Sequence, residues 1–426
     1  MGLKRYKLGD LLEVTRGQSL AGEFYAEEGK YIRLTLGNFD YANGGFKPNT
    51  SKTNLYYTGP IKEQFILEEG DIITPLTEQT PGLLGSTARI PVSGTYIQSQ
   101  DVALVRCKDG MLDPAFCYYL LPSSSVKKQL AAGAQQTKIR HTSPDKIKDV
   151  VVDIPDISEQ RRIGQLLDAI THKIELNRSI NQNLEALAKQ LDDYWFVQFD
   201  FPNKEGRPYK SNGGKMVWNE KLKREIPDGW EAVSVNDISD SYRGVSYAKD
   251  DLVDEQHGLL VLRGNNIQNS QLVFDSNVAY IPESFVSDEQ KIRKGHIIMT
   301  MSSGSKEHVG KCVLFHHEPN ETYGAFLTKF VPHAFCSNLL YNVFNSDYFK
   351  SIIKSTASGT GINNLTNQTF DNIFIAMPPM ELLQKYDALQ DQLFGEVGNL
   401  QQNTWNLIKQ RDELLPLLMN SQVTLE

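Results

Sequence analysis

The run GAQQTKIRHT, residues 133–142, places Gln135, Gln136, Lys138 and Arg140 among small residues, directly after a basic segment. Side-chain amides and guanidinium groups can bond two atoms of a base edge at once, and Lys and Arg also pair with phosphate. In the second half of the chain, SGTGINN (358–364) offers Thr360, Asn363 and Asn364, amides and hydroxyls without charge. Further polar groups stand near glycines that permit tight turns: Arg16, Gln18 and Ser19 around Gly17, and Arg243 and Ser246 around Gly244. Thr77–Thr80 with Gln79 and Ser302–Lys306 with Ser303 and Lys306 are comparable polar loops, and Arg33 and Arg263 sit at strand-like positions. The chemistry available to all of these is nucleic-acid contact. For each, an ordinary role competes: a solvated loop, a structural turn, or an Arg paired with a carboxylate.

Catalytic constellations are weak. Gly304–Lys311 resembles a phosphate-binding loop, but five residues separate its glycines and Cys312 follows where a magnesium-binding hydroxyl belongs. Met377-Pro378-Pro379-Met380 shares only its prolines with the motif of amino-methyltransferases. His316-His317 lacks metal-ligand spacing with the other histidines. No catalysis, cofactor or metal is expected. The net charge of -8 argues mildly against nucleic acid, yet Val126–Lys148 carries six Lys/Arg against one Asp, and local charge decides phosphate contact. No run reaches the roughly 18 apolar residues of a membrane span. Cys107, Cys117, Cys312 and Cys336 form no CxxC pair and read as free thiols, fitting a reducing cytoplasm.

Two long amphipathic stretches must position these groups. In residues 157–201, Ile163, Ile170, Leu184 and Leu191 fall on one heptad set, with Asn177, and Leu166, Ile180 and Leu187 on a second, with Lys173. Ser158 is the expected N-cap. In 379–426, Tyr386, Leu389, Leu393, Leu400, Leu407 and Leu414 repeat the pattern with Asn403, and Pro416 should end or bend that helix. Each is preceded by a region of short strands and helices, 1–156 and 230–378, with a Gly/Pro-rich linker at 202–229.

The two halves match in order. Arg16-Gly17 pairs with Arg243-Gly244, Leu36-Gly37-Asn38 with Arg263-Gly264-Asn265, and Thr95-Tyr96 with Thr322-Tyr323, all at an offset of 227. Gly70–Ile73 pairs with Gly295–Ile298 at 225, and Pro155 and Gln160 with Pro379 and Gln384 at 224. The expected fold is therefore α+β: two similar globular domains, each followed by a long helix whose apolar seam calls for a partner helix.

This plan resembles the specificity subunit of Type I restriction-modification systems. The carriers are the duplicated domain-plus-helix arrangement, the run Pro155, Glu159, Gln160 and Ile163, the stretch YWFVQFDFP (194–202) leading into KEGRPYKSNGGKMVW (204–218), and IPDGW (226–230). In the second helix Leu383 stands where the motif has Glu. The resemblance implies a non-catalytic subunit of α+β fold, whose two similar globular recognition domains each read half of a split double-stranded DNA sequence and whose two long helices pack as an antiparallel coiled coil. Two methyltransferase subunits and the restriction/translocase subunits would be its partners, and the polar loop at 133–142 would lie at the DNA. A helix of about 43 residues spans about 65 Å, which caps the unread gap near 19 base pairs at roughly 3.4 Å each. A coiled-coil adaptor without DNA readout is the competing class; salt-insensitive behaviour and no DNA retention would favour it.

Overall fold

The computed structural model describes residues 2–41, 44–78, 82–133, 140–268, 271–273, 278–304, 308–356 and 363–423. The chain divides into two compact units, residues 1–176 with 404–426, and residues 177–403.

In the first unit, strands Leu12–Arg16, Val102–Cys107, Ile72–Pro75 and Ala88–Arg89 form an antiparallel sheet in that order. Ile72–Pro75 is buried throughout, as expected of a central strand. Strand Lys4–Lys7 pairs with Val151–Ile154, the last strand before the first long helix. Helix Pro114–Leu120 begins at Asp113, whose side chain accepts from Phe116 N, with Pro114 at the first helical position where its missing N–H costs nothing. The main core gathers Leu8, Leu11, Val105, Phe116 and Ile163, and Leu418 and Met419 from the second long helix join it.

The second unit repeats this topology. Strands Ser239–Arg243, Leu327–Pro332, Ile297–Thr300 and Cys312–Leu314 form an antiparallel sheet in the corresponding order. Glu231–Ser234 pairs with Phe374–Met377, again just before a long helix. Gly70 and Gly295 both take φ of 85°, and both donate to the strand beyond, to Ile90 O at 2.9 Å and Phe315 O at 2.7 Å. The core is centred on Phe330, Phe344 and Phe370, with Trp195 and Tyr386 from the two long helices.

Two of the sequence pairings shift. Asn38 and Asn266 are equivalent: each is buried, and each caps the backbone N–H three residues earlier, of Thr35 and Arg263, at 2.9 Å. The offset there is 228, so Arg263 corresponds to Thr35. The Thr-Tyr match is coincidental: Gln98, which donates to Thr15 O at 2.7 Å, occupies the place of Tyr323, which donates to Tyr242 O at 3.2 Å.

The first long helix is Ile157–Asp192, closed by a wider π turn at Asp193–Val197. Its N-cap is Asp156, which accepts from Ser158 N and Glu159 N at 3.0 Å, in place of the expected Ser158. Ile163, Asn177 and their set face inward, but the companion set is Leu167, Ile174, Asn181 and Ala188. Leu187 is 49% exposed, and Ile180 and Lys173 also face solvent. Heptad spacing admits a companion on either side of the first set, at i+3 or i+4. Ala188 wins over Leu187 because Gln390 Nε2 reaches the Ala188 carbonyl at 2.9 Å, a close approach that a small side chain permits. Tyr386 bonds Asp192 four residues further along the first helix and four residues earlier on the second, so the two helices run antiparallel within this unit.

The second long helix is Met380–Met419 and carries Pro416 inside its last turn. Pro416 does not end it: lying in the last turn, it forgoes only its own bond to the carbonyl of Asp412, and Pro416 O still accepts from Asn420 N at 3.1 Å. Tyr386 is buried as expected, and Gln390 and Thr404 supply the buried polar groups, whereas Asn403 and Leu389 are exposed. The 202–229 stretch carries a hairpin, Met216–Asn219 with Arg224–Pro227, and buries Ile226 in the second core. Among the described residues no helix is long and apolar enough to cross a membrane.

Candidate nucleic-acid interface

In each unit the strand order brings one set of ends together. Arg16 closes strand Leu12–Arg16, Val102 opens its antiparallel neighbour, and Pro75 closes the next strand. Beyond Pro75 the chain continues as Thr77–Glu78, which pairs with Arg140–His141. In the second unit Arg243, Leu327 and Thr300 meet in the same way, and Ser302–Ser303 pairs with Asn363–Asn364. The topology thus gathers Arg16 with Arg140, and Arg243 with Ser303, Asn363 and Asn364.

The arginines are presented alike. Arg16 Nε donates to Gln100 O at 2.8 Å, and Arg243 Nε to Ala325 O at 3.1 Å. Both side chains are exposed. Anchoring through Nε orients the terminal nitrogens outward as a planar fork, the geometry suited to phosphate or to a guanine edge. The next residue must be glycine in both cases. A Cβ on Gly17 would lie 2.3 Å from Ser99 O, and one on Gly244 2.3 Å from Gly324 O.

The other candidate residues divide. Gln18 holds the neighbouring loop, donating to Pro60 O at 3.0 Å and accepting from Lys62 N at 3.4 Å. Ser19 and Ser246 are exposed. Arg33 is only 7% exposed; its guanidinium lies 3.8 Å over the Tyr25 ring and donates to Asn54 O at 3.1 Å. Arg263 is half-buried at the head of the short turn Gly264–Asn266. Gln79, Gln135, Gln136, Lys138, Lys306 and Thr360 lie outside the described residues.

Glu78 shapes the first site. It is buried, accepts from Gly82 N, Leu83 N and Leu84 N at 2.8–3.0 Å, and lies 3.7 Å from Arg140 Nη1. One carboxylate therefore organises the backbone of the turn and holds Arg140 at its edge. Lys127 donates to Gly82 O at 3.0 Å, and burial lowers its pKa against the opposing pull of Glu78. A cleft of about 810 Å³ opens beside this turn, with Asn49, Lys52, Gln100 and Lys127 in its lining. The second unit has a cleft of about 470 Å³ at its strand ends, lined by Arg243, Ser302, Phe326, Thr366 and Asn367 among others. Lys127 falls in the basic run visible in the sequence; Lys52, Thr366 and Phe326 carried no signal there. Among the described residues no group of His, Cys, Asp or Glu could hold a metal ion.

Residues 2–186 match the Type I restriction modification DNA specificity domain. The chain is 30% identical over 208 residues to the Type I restriction enzyme StySPI specificity subunit of Salmonella potsdam, covering 47% of this chain and 44% of that protein. It thus matches somewhat less than half the length of that relative. The MjaIX specificity subunit of Methanocaldococcus jannaschii is 26% identical over 327 residues, covering 75% of this chain and 71% of that one. The crystal structure of the Type I restriction-modification S subunit from M. genitalium superposes with a TM-score of 0.62 at 17% identity, over 98% of this chain and 96% of the other. That likeness establishes the shared fold.

Proposed function

We propose, on the premise that this chain belongs to the family of Type I restriction-modification specificity subunits, that it reads a bipartite double-stranded DNA target without catalysing a reaction itself. The observation that carries this reading is the duplicated strand-end surface. In each unit an exposed Arg is anchored through Nε to a backbone carbonyl, beside a glycine whose side-chain space is filled by backbone. A structural turn needs the glycine but gains nothing from an outward guanidinium fork. Two independent copies of that fork suit a reader of two half-sites.

In this reading Arg16, Arg140 and the residue 133–142 loop serve one half-site, with Gln18, Ser19, Arg33 and Gln79 around them. Arg243, Ser246, Arg263, Ser303, Lys306, Thr360, Asn363 and Asn364 serve the other. A bidentate Arg–guanine contact discriminates by about 1–3 kcal/mol. Arg33, already occupied by Asn54 and Tyr25, contributes by holding the wall of its cleft. Two methyltransferase subunits and the restriction/translocase subunits supply the chemistry. With a net charge of -8 on this chain, those partners also supply much of the phosphate neutralisation.

Single-molecule sequencing of genomic DNA from a methylation-deficient host tests this, with the chain expressed alone, its methyltransferase subunit expressed alone, and both together. A split motif methylated only when both are present is the expected result. Replacing residues 230–378 by those of a relative should change one half-site only. Absence of methylation by a soluble, associated pair would overturn the reading and favour an adaptor.

A further inference from the structure

Phe326 is 65% exposed, the most exposed large apolar side chain among the described residues, and belongs to none of their hydrophobic cores. Its backbone is nevertheless held firmly. Phe326 O accepts from Met301 N at 3.0 Å and Ser302 N at 3.3 Å, and Leu327 N closes the turn onto Gly324 O at 2.9 Å. The preceding carbonyl, of Ala325, is the one that anchors Arg243. Ser241, Ser302, Thr366 and Asn367 line the same cleft. The phenyl ring thus sits on a hydrogen-bonded turn, outside the described cores, among hydrogen-bonding groups and beside Arg243.

The first unit has the same scaffold with a different side chain. Gln100 O anchors Arg16, and the following residue, Asp101, accepts from Leu76 N at 2.9 Å as Phe326 accepts from Met301 N. Phe326 therefore stands where the first unit has Asp101. A carboxylate there can accept from a cytosine amino group; a phenyl ring cannot hydrogen-bond with any base edge. The apolar feature that a major-groove edge presents is the thymine 5-methyl group.

We propose that Phe326 is a specificity-determining residue of the unit formed by residues 177–403, packing its ring on the 5-methyl group of a thymine in the half-site which that unit reads. The inference rests on the bipartite-reader function above and adds to it a named residue, base and atom.

The test uses the full chain in complex with its methyltransferase subunit and duplexes carrying the mapped motif. Each thymine is replaced in turn by deoxyuridine, which lacks only the methyl group. For the unaltered chain, one thymine of the second half-site should lose about 4-fold in binding, the worth of one buried methyl group. Phe326→Ala should weaken binding to the normal duplex by at least that factor and become indifferent to deoxyuridine at that position, with thymines of the first half-site unaffected. Phe326→Leu should retain part of the discrimination; it carries the comparison if the Ala variant melts early. Equal sensitivity of Phe326→Ala and the unaltered chain to every deoxyuridine, or a second half-site containing no thymine, overturns the inference and leaves the bipartite reading intact. Failure of the unaltered complex to select any split sequence overturns both.

Discussion

Asp192→Asn should stabilise the protein at pH 8, by a margin that shrinks as the pH falls through 6 and vanishes only below 3.8. Asp192 accepts a hydrogen bond from Tyr386 OH at 2.7 Å, and Tyr386, fully buried, also accepts from Asn342 Nδ2 at 2.7 Å and Gln390 Nε2 at 3.1 Å. Burial is the largest influence on the carboxyl and, with neighbouring Asp193, outweighs the hydrogen bonds from Tyr386 and Asn342; its pKa rises from 3.8 to about 6. A folded-state pKa above the unfolded one means that the folded state binds more protons in that interval. Stability contributed by this group therefore rises as the pH falls from above 6 towards 3.8, and the ionised form is a burden at pH 8. A shift of about 2 units at 1.36 kcal/mol each amounts to about 3 kcal/mol. Partial solvent access to this half-buried group reduces it to about 1–2 kcal/mol. Asparagine keeps an acceptor for Tyr386 and removes the charge. At roughly 2–4 °C per kcal/mol for a unit of this size, the transition containing residues 177–403 should melt about 2–8 °C higher at pH 8. Differential scanning calorimetry of the full chain at pH 8, 6.5, 5.5 and 4.5 measures the difference. A variant that melts below the unaltered chain at pH 8, or by a pH-independent margin, would refute the reasoning, because the Tyr386 bond to the charged form would then outweigh burial.

Other perturbations probe the site and the helices. Glu78→Gln leaves three backbone N–H groups with a weaker acceptor and should cost about 1–3 kcal/mol in denaturant unfolding of the first unit; an unchanged midpoint would show that the turn holds itself. Gly17→Ala and Gly244→Ala each drive a Cβ into backbone and should cost about 2 kcal/mol or more, with methylation lost alongside stability. Leu167→Ala, at a fully buried position, should cost about 2–5 kcal/mol. Leu187→Lys, on the exposed face, should stay within about 0.5 kcal/mol; the opposite ranking in urea melts would restore the seam expected from the sequence. Arg16→Lys and Arg243→Lys, which replace a fork by a point charge, should each relax one half-site, a different one for each, in motif mapping.

Much of this architecture is legible without coordinates because it is written in repeated, local signals. The Arg-Gly turns at 16–17 and 243–244 share the same anchored geometry, and Gly70 and Gly295 share the same positive φ. Asp113-Pro114 starts its helix as its residue types demand. Short identities misled where they stood alone. The Thr-Tyr pair matched by letter while the backbone aligned Tyr323 with Gln98, since a carbonyl partner constrains the position and the residue type only has to reach it. Ser158 yielded to Asp156 because a cap is chosen by the direction in which the chain enters the helix.

The chain's own residues determine that there are two related α+β units, that each is followed by a long helix, and that each carries an Arg-Gly turn at one sheet end. These follow from periodicity, propensity and duplication, which act over a few neighbours at a time. Tertiary structure alone decided which companion stripe of the first helix is buried. Leu166 and Leu167 are equally apolar, and Ala188 prevails over Leu187 only once Gln390 comes within hydrogen-bonding distance of its carbonyl. It alone placed Glu78 under three backbone amides from a later turn, and Phe326 on the rim beside Arg243. Burial depends on what the rest of the chain brings to a surface, and an exposed phenylalanine differs from a core one only in what fails to arrive.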